Sequence, residues 1–271
     1  MNNNMNQNMT GALFSPVDVR DYRLSMVANA SELPEEFELT MPKVKNQGNK
    51  NSCVAHSIAT TVEYFNIIQN NNHNKMSTNY IYGNRTNMNY DGMGMYTRKA
   101  VSNTCKYGDV YESDFPGNTE VPEVIEEFED KKYSLYDKGV PHRFSSYYSV
   151  KSMNEIKTAL MTNGPVIFAM PWYDDIQVKN GIIQTEQKGD PGGHCMVIYG
   201  WNKDGWLIQN SWGSMWGDRG RAVLPYDIKI REAYGIVDNI INEGNIKKPY
   251  SGQFGQFFAK IINWILNLLR K

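Results

Sequence analysis

Cysteine is scarce. The chain has three in 271 residues, an odd and small number that excludes a disulfide scaffold and favours a reduced compartment. Neither sign of charge is in excess. Lys and Arg number 28 against 29 Asp and Glu, for a net charge of −1, so no overall field draws the chain to nucleic acid or to an anionic membrane. Long hydrophobic runs are missing as well: no stretch of about 18 apolar residues occurs, so no spanning helix is expected. The opening MNNNMNQNMT has no basic stretch followed by an apolar core. It does not read as a secretory signal, and a cytoplasmic location is expected.

What is present is ordinary globular material, 41% hydrophobic and 21% charged. That excludes a mainly disordered or fibrous chain, and the length allows one large domain or two modest ones. The Asn-rich first ten residues read as a disordered lead. From Ser52, SCVAHSIATTVEYFNIIQ sets Ile58, Val62, Phe65 and Ile68 at helical spacing, with Ser52 as the N-cap. TRKAVSNTCKYG is a second helix that ends at Gly108. The acidic stretch 120–132 reads as a solvated helix face. NEIKTALMTNG is a short helix, whereas PVIFAM, HCMVIYGW, GWLIQNSW and GRAVLPY are strand-like, with NKDG as a turn. Helices come first and antiparallel strands later. This is an α+β pattern, two lobes with a cleft between them. The expected divisions are 1–33 as an N-terminal extension, 34–140 as a mainly helical lobe, 141–243 as a β-rich lobe, and 244–271 as a linker and C-terminal helix.

The candidate chemistry starts at Cys53, which follows the loop NQGNKNS and sits in the first turn of a helix. A helix N-terminus favours thiolate, and thiolate is a strong nucleophile. Gln47 precedes it by six residues, and its amide suits an oxyanion hole shared with the Cys53 N–H. Four histidines are available as a base. His73 lies in an Asn-rich loop. His142 has no chemical context. His56 is on the helix of Cys53, where its side chain has little freedom to align for proton transfer; it reads as packed with a satisfied nitrogen, or as partly exposed. His194 opens the strand HCMVIYGW, and Asn210 lies in the return strand. Mirror pairing about NKDG puts His194 opposite Gly213, three residues from Asn210, so a bulge or strong twist is needed to join them. Cys105 and Cys195 read as buried and inert.

Three blocks together resemble the papain-like cysteine peptidases. Asn210-Ser211-Trp212-Gly213 followed by Trp216-Gly217-Asp218 and Gly220 looks like the family's asparagine segment. Gly193-His194 with a strand ending Gly200-Trp201 looks like its histidine segment. Gln47-Gly48 with Ser52-Cys53 looks like its oxyanion and nucleophile segment. His194 and Asn210 lie about 140 and about 160 residues after Cys53, close to the roughly 130–150 usual in the family. The likeness spans about residues 34–240. There are departures: Lys50 stands where a disulfide cysteine is usual, and Val54 and His56 where aromatics are usual.

The resemblance implies a papain-like fold, a helical lobe facing a β-barrel-like lobe with the active site in the cleft. It implies a thiol endopeptidase with Cys53, His194 and Asn210 as triad, Gln47 and the Cys53 N–H as oxyanion hole, and Trp212 covering the His–Asn bond. By position, Gly94 and Met95 form the edge that binds substrate backbone, Ala169 and Gly192 are walls of the acyl-side pocket, whose small size suits a medium or large apolar P2 residue, and Gly193 is a further substrate-binding position. No cofactor and no metal are implied, and the partner is a peptide or protein substrate. Two other readings use the same residues: a thiol acyltransferase or transpeptidase, and a non-catalytic peptide-binding module. Residues 1–33 are too short for the family's usual helical pro-domain and read as a surface strap or a short plug in the cleft. Residues 254–271 form an amphipathic pattern with polar Gln256, Lys260, Asn263, Asn267 and Arg270, suited to docking, self-association or a membrane surface.

Overall fold

The computed structural model describes residues 10–16, 18, 33–85, 92–117 and 123–238. The expected C-terminal helix, with its self-association or membrane contact, and most of the N-terminal extension lie outside the described residues.

Helix α1 (Cys53–Asn70) is buried on every side from Cys53 through Asn66, as befits a central helix rather than a surface one. It stops at Asn71, which takes the left-handed conformation (φ 51) and donates its N–H to the Ile67 carbonyl. Ser52 occupies the N-cap position but makes no capping bond, contrary to the sequence expectation. Its carbonyl receives the His56 N–H at 3.0 Å, as the first bond of the helix, and faces His56 Nδ1 at 2.9 Å. His56 is therefore buried with one nitrogen satisfied. Helices α2 (Thr78–Gly83) and α3 (Thr97–Tyr107) pack on α1, and α4 (Glu123–Gly139) packs on α2. Helix α3 ends at Gly108, where φ is 70 and any Cβ would run into the Gly139 carbonyl. Helix α4 buries Val124 and Phe128 and turns Glu123, Glu126, Glu129 and Asp130 outward. Cys105, expected to be buried, is only half-buried.

The second half of the chain is a mostly antiparallel sheet. Its strands are β4 (Ser146–Ser149), β5 (Val166–Trp172), β6 (Gln177–Lys179), β7 (Ile182–Gln184), β8 (Gly192–Asn202), β9 (Gly205–Gln209), β10 (Arg221–Leu224) and β11 (Glu232–Val237). Their spatial order is β4-β11-β5-β8-β9-β10-β7-β6. Helix α5 (Met153–Thr162) packs on the sheet and starts with a capping box in which Ser152 and Glu155 satisfy each other's backbone N–H groups. The core of this part holds Phe168, Met196, Ile198, Trp201, Trp206 and Ile208. Strand β2 (Phe37–Glu38) pairs with β8, so residues on the helical side of the expected division at 140 also belong to the sheet.

The start of the chain has its own pairing. Strand β1 (Ala12–Leu13) runs parallel to β3 (Met95–Tyr96), with Ala12 opposite Met95. The same segment touches β8, where the Gly11 N–H donates to the Gly193 carbonyl at 2.9 Å.

Candidate active site

The register of β8 and β9 decides where His194 and Asn210 meet. The ladder pairs Trp201 with Trp206 and then shifts at Tyr199, so that Ile198 faces Ile208 and Val197 faces Gln209. This is the bulge the sequence arithmetic called for. It moves the pairing by one residue, which sets Trp212 beside His194 in place of Gly213. The rings stack at 4.4 Å between centroids and 23° between planes. Trp172 closes a second side of the imidazole edge-on at 5.0 Å.

His194 Nε2 lies 2.8 Å from Asn210 Oδ1. That oxygen also accepts the Ser211 N–H at 2.7 Å, which fixes it as the amide oxygen. A carbonyl oxygen can only accept, so Nε2 carries the proton and neutral His194 presents a lone pair at Nδ1. Nδ1 is buried without a hydrogen-bond partner among the described residues. Burial pushes the imidazole down to about 4, partly offset by the bond to Asn210.

Cys53 is fully buried at the first residue of α1. Burial pushes its thiol up to about 12, opposed by backbone N–H groups of Cys195, Val54, Cys53 itself and Ala12 aimed at the sulfur. The residue after His194 and a residue of the N-terminal segment thus both reach the Cys53 sulfur. Gln47 is buried too. Its Oε1 accepts the Ser211 hydroxyl at 2.6 Å, and its Nε2 donates to the Lys50 carbonyl at 2.6 Å. The Gln47 N–H donates to the Ser211 carbonyl at 2.8 Å, and Asn46 bridges to Trp212. The loop of Gln47 is therefore laced to the segment that carries Asn210.

The expected substrate edge meets the N-terminal segment at nearly every point. The Met95 N–H donates to the Gly11 carbonyl at 2.9 Å. A Cβ on Gly94, where φ is 85, would strike that carbonyl; on Gly193 it would strike the Ala12 carbonyl; on Gly192 it would strike the Thr10 side chain. Ala169 is completely buried. Beyond it, the Ser15 N–H donates to Glu232 Oε2 at 3.1 Å, and Arg98 holds the Pro16 carbonyl at 2.6 Å and Asp18 at 3.3 Å. Residues 10–16 fill the groove that Cys53, Met95 and Gly193 line.

A family model described as papain family cysteine protease matches residues 33–241. This chain belongs to the papain family. Among relatives, a peptidase C1-like protein of Acanthamoeba polyphaga mimivirus is 27% identical over 236 residues, 79% of this chain and 76% of that protein. A viral cathepsin of Adoxophyes honmai nucleopolyhedrovirus is 28% identical over 77% of this chain and 59% of its own length. A cathepsin B-like cysteine proteinase of Caenorhabditis elegans is 36% identical over 85 residues, and there the chain spans only a quarter of the relative's length. Xylellain, a cysteine protease from Xylella fastidiosa, has the same fold with a TM-score of 0.71 at 24% identity, over 85% of this chain and 96% of that one.

Within this papain-family chain, sequence reasoning missed three contributors. Ser211 grips Gln47 through its hydroxyl, yet it reads as filler inside a motif. Ala12 and Glu232 reach the site only through tertiary pairing. Strand β11, EAYGIV, is buried at four consecutive residues without alternation, so it carries no period-2 signal in the sequence.

Proposed function

We propose that the chain is a thiol endopeptidase in which Cys53, His194 and Asn210 act together, and that the form described is latent, its cleft filled by residues 10–16. The observation that carries the reading is the 2.8 Å bond from His194 Nε2 to Asn210 Oδ1 beneath Trp212, with Nδ1 left as acceptor on the strand that meets the Cys53 sulfur.

In the open cleft, His194 Nδ1 takes the Cys53 proton. Water around the pair removes the burial that favours the neutral forms, and thiolate with imidazolium becomes the working state. The sulfur attacks a peptide carbonyl. The oxyanion is met by the Cys53 N–H and the Gln47 amide, each such donor being worth about 3 kcal/mol. The imidazolium gives its proton to the leaving amine, and His194 then activates the water that splits the thioester. Asn210 holds the ring so that one nitrogen faces the sulfur throughout.

Latency follows from direction as well as from coverage. The segment runs parallel to Met95–Tyr96 and presents the Ala12 N–H, not a carbonyl carbon, to the sulfur. Hydrolysis of a fluorogenic peptide by the full chain, after the segment is loosened by Arg98→Ala, tests the reading. Turnover that vanishes with Cys53→Ala supports it. A chain that binds the peptide and never cleaves it contradicts it.

A further inference from the structure

The edge that Met95 belongs to is held from behind. Met93 stands between two glycines, and Gly94 takes φ 85, so the stretch has little stiffness of its own. No disulfide fixes it, since Cys53, Cys105 and Cys195 are all free. The hold comes from the end of α2. Arg85, two residues past that helix, is wholly buried. Its Nη1 donates to the Gly94 carbonyl at 2.7 Å, and its Nη2 donates to the Gly92 carbonyl. One planar guanidinium grips two alternate carbonyls, which a single ammonium is poorly shaped to do. Tyr82 of α2 adds to the grip. Its ring centre lies 4.8 Å from the guanidinium carbon, and its hydroxyl accepts the Gly94 N–H at 3.2 Å.

Both backbone polar groups of Gly94 are therefore committed to α2 and the residue just beyond it. The direction of the next donor follows from peptide planarity. In a trans peptide the N–H points opposite to the carbonyl of the preceding residue. With the Gly94 carbonyl turned to Arg85, the Met95 N–H is turned the other way. It meets the Gly11 carbonyl at 2.9 Å, in the groove that residues 10–16 now occupy.

We infer that Arg85 is the positioning residue of this edge: by clamping the Gly94 carbonyl it aims the Met95 N–H into the groove, where that donor serves the Gly11 carbonyl in the latent chain and a backbone carbonyl of the substrate in the open one. Arg85 acts only through the peptide between Gly94 and Met95. The role toward substrate rests on the peptidase reading of the cleft, whereas the role toward Gly11 does not, and the two are tested separately.

Hydrogen exchange of the Met95 amide is followed by NMR in the full chain, as wild type and with Arg85→Met or Arg85→Lys. Arg85→Met is expected to quicken it at least about tenfold, the scale of one lost charge-assisted bond, while Val197 and Ile198 inside β8 stay protected and report an intact fold. Arg85→Lys, which reaches one carbonyl, is expected to fall between. Where Arg85→Met also exposes Val197 and Ile198, Tyr82→Phe decides. It removes only the hydroxyl that takes the Gly94 N–H and is expected to quicken Met95 alone, by about threefold. The same Arg85 variants are then placed in the full chain carrying Cys53→Ala and Arg98→Ala and titrated with a fluorescein-labelled peptide, whose affinity is expected to fall about tenfold with Met and less with Lys. An unmoved Met95 amide, or peptide affinity that stays put while Met95 exchange quickens, overturns the inference. Failure of the chain to bind the peptide with Arg85 in place contradicts the peptidase reading, and Met95 exchange still decides the role of Arg85.

Discussion

The two walls of the cleft are built on different principles. The nucleophile wall is local. Cys53 is placed by one helix end, that of α1, which is buried from Cys53 to Asn66. The base wall is assembled. His194 and Asn210 sit on strands whose register depends on the bulge at Tyr199, and Gln47 depends in turn on Ser211. A single-element site tolerates change in its surroundings, whereas a site assembled across strands is lost piece by piece.

The largest effect expected from breaking either wall is chemical. Cys53→Ala is expected to abolish peptide hydrolysis, and His194→Ala to lower kcat/KM by about 1,000-fold or more, both read with a fluorogenic peptide on the loosened chain. Next comes Gln47→Ala, expected to cost about 100-fold in kcat through the oxyanion. Loss in KM alone would instead mean that Gln47 only binds substrate. Asn210→Ala is expected to cost less, about tenfold, since one hydrogen bond to a ring that Trp212 and Trp172 still clasp is removed.

Acid separates the two walls more finely. His194 and His56 are both pushed down to about 4 from 6.5 by burial. An open or unfolded state takes up their protons first as pH falls. The stability these neutral rings lend is therefore full above about 6.5 and is lost on the way down to 4. His194 follows Gly193, whose carbonyl holds the Gly11 N–H, whereas His56 lies inside the helical wall. Hydrogen exchange at Gly11–Leu13 is expected to quicken between those pH values, and His194→Gln is expected to flatten that response while His56→Gln leaves it. The same response in both variants would make the two walls one titrating unit.

How much of this the sequence made legible differs between the walls in the same way. The helical wall was readable because α1 announces itself by spacing and Cys53 by position. The His194–Asn210 meeting was readable only as neighbourhood, since mirror pairing misses Asn210 by three residues and the bulge supplies one of them. The Ser52 cap failed because its backbone, at φ −110 and ψ 21, is not in the extended conformation of a capping residue. Strand β11 and the seating of residues 10–16 were not legible. Both depend on pairing between segments far apart in the chain, and two-residue strands such as Ala12–Leu13 carry no periodic signal.

The most direct test is alkylation of Cys53 by iodoacetamide as a function of pH, read residue by residue by mass spectrometry, on the wild type, on Gly193→Ala and on Gly193→Ala with His194→Ala. The added methyl at residue 193 collides with the Ala12 carbonyl and is expected to expel the segment. The account predicts slow labelling of the wild type, fast labelling of the Gly193→Ala chain near pH 5 to 6, and loss of that low-pH reactivity in the double variant. If the Gly193→Ala chain exposes Cys53 and the thiol still reacts only above about pH 8, as a free cysteine does, there is no thiolate–imidazolium pair and the account is wrong.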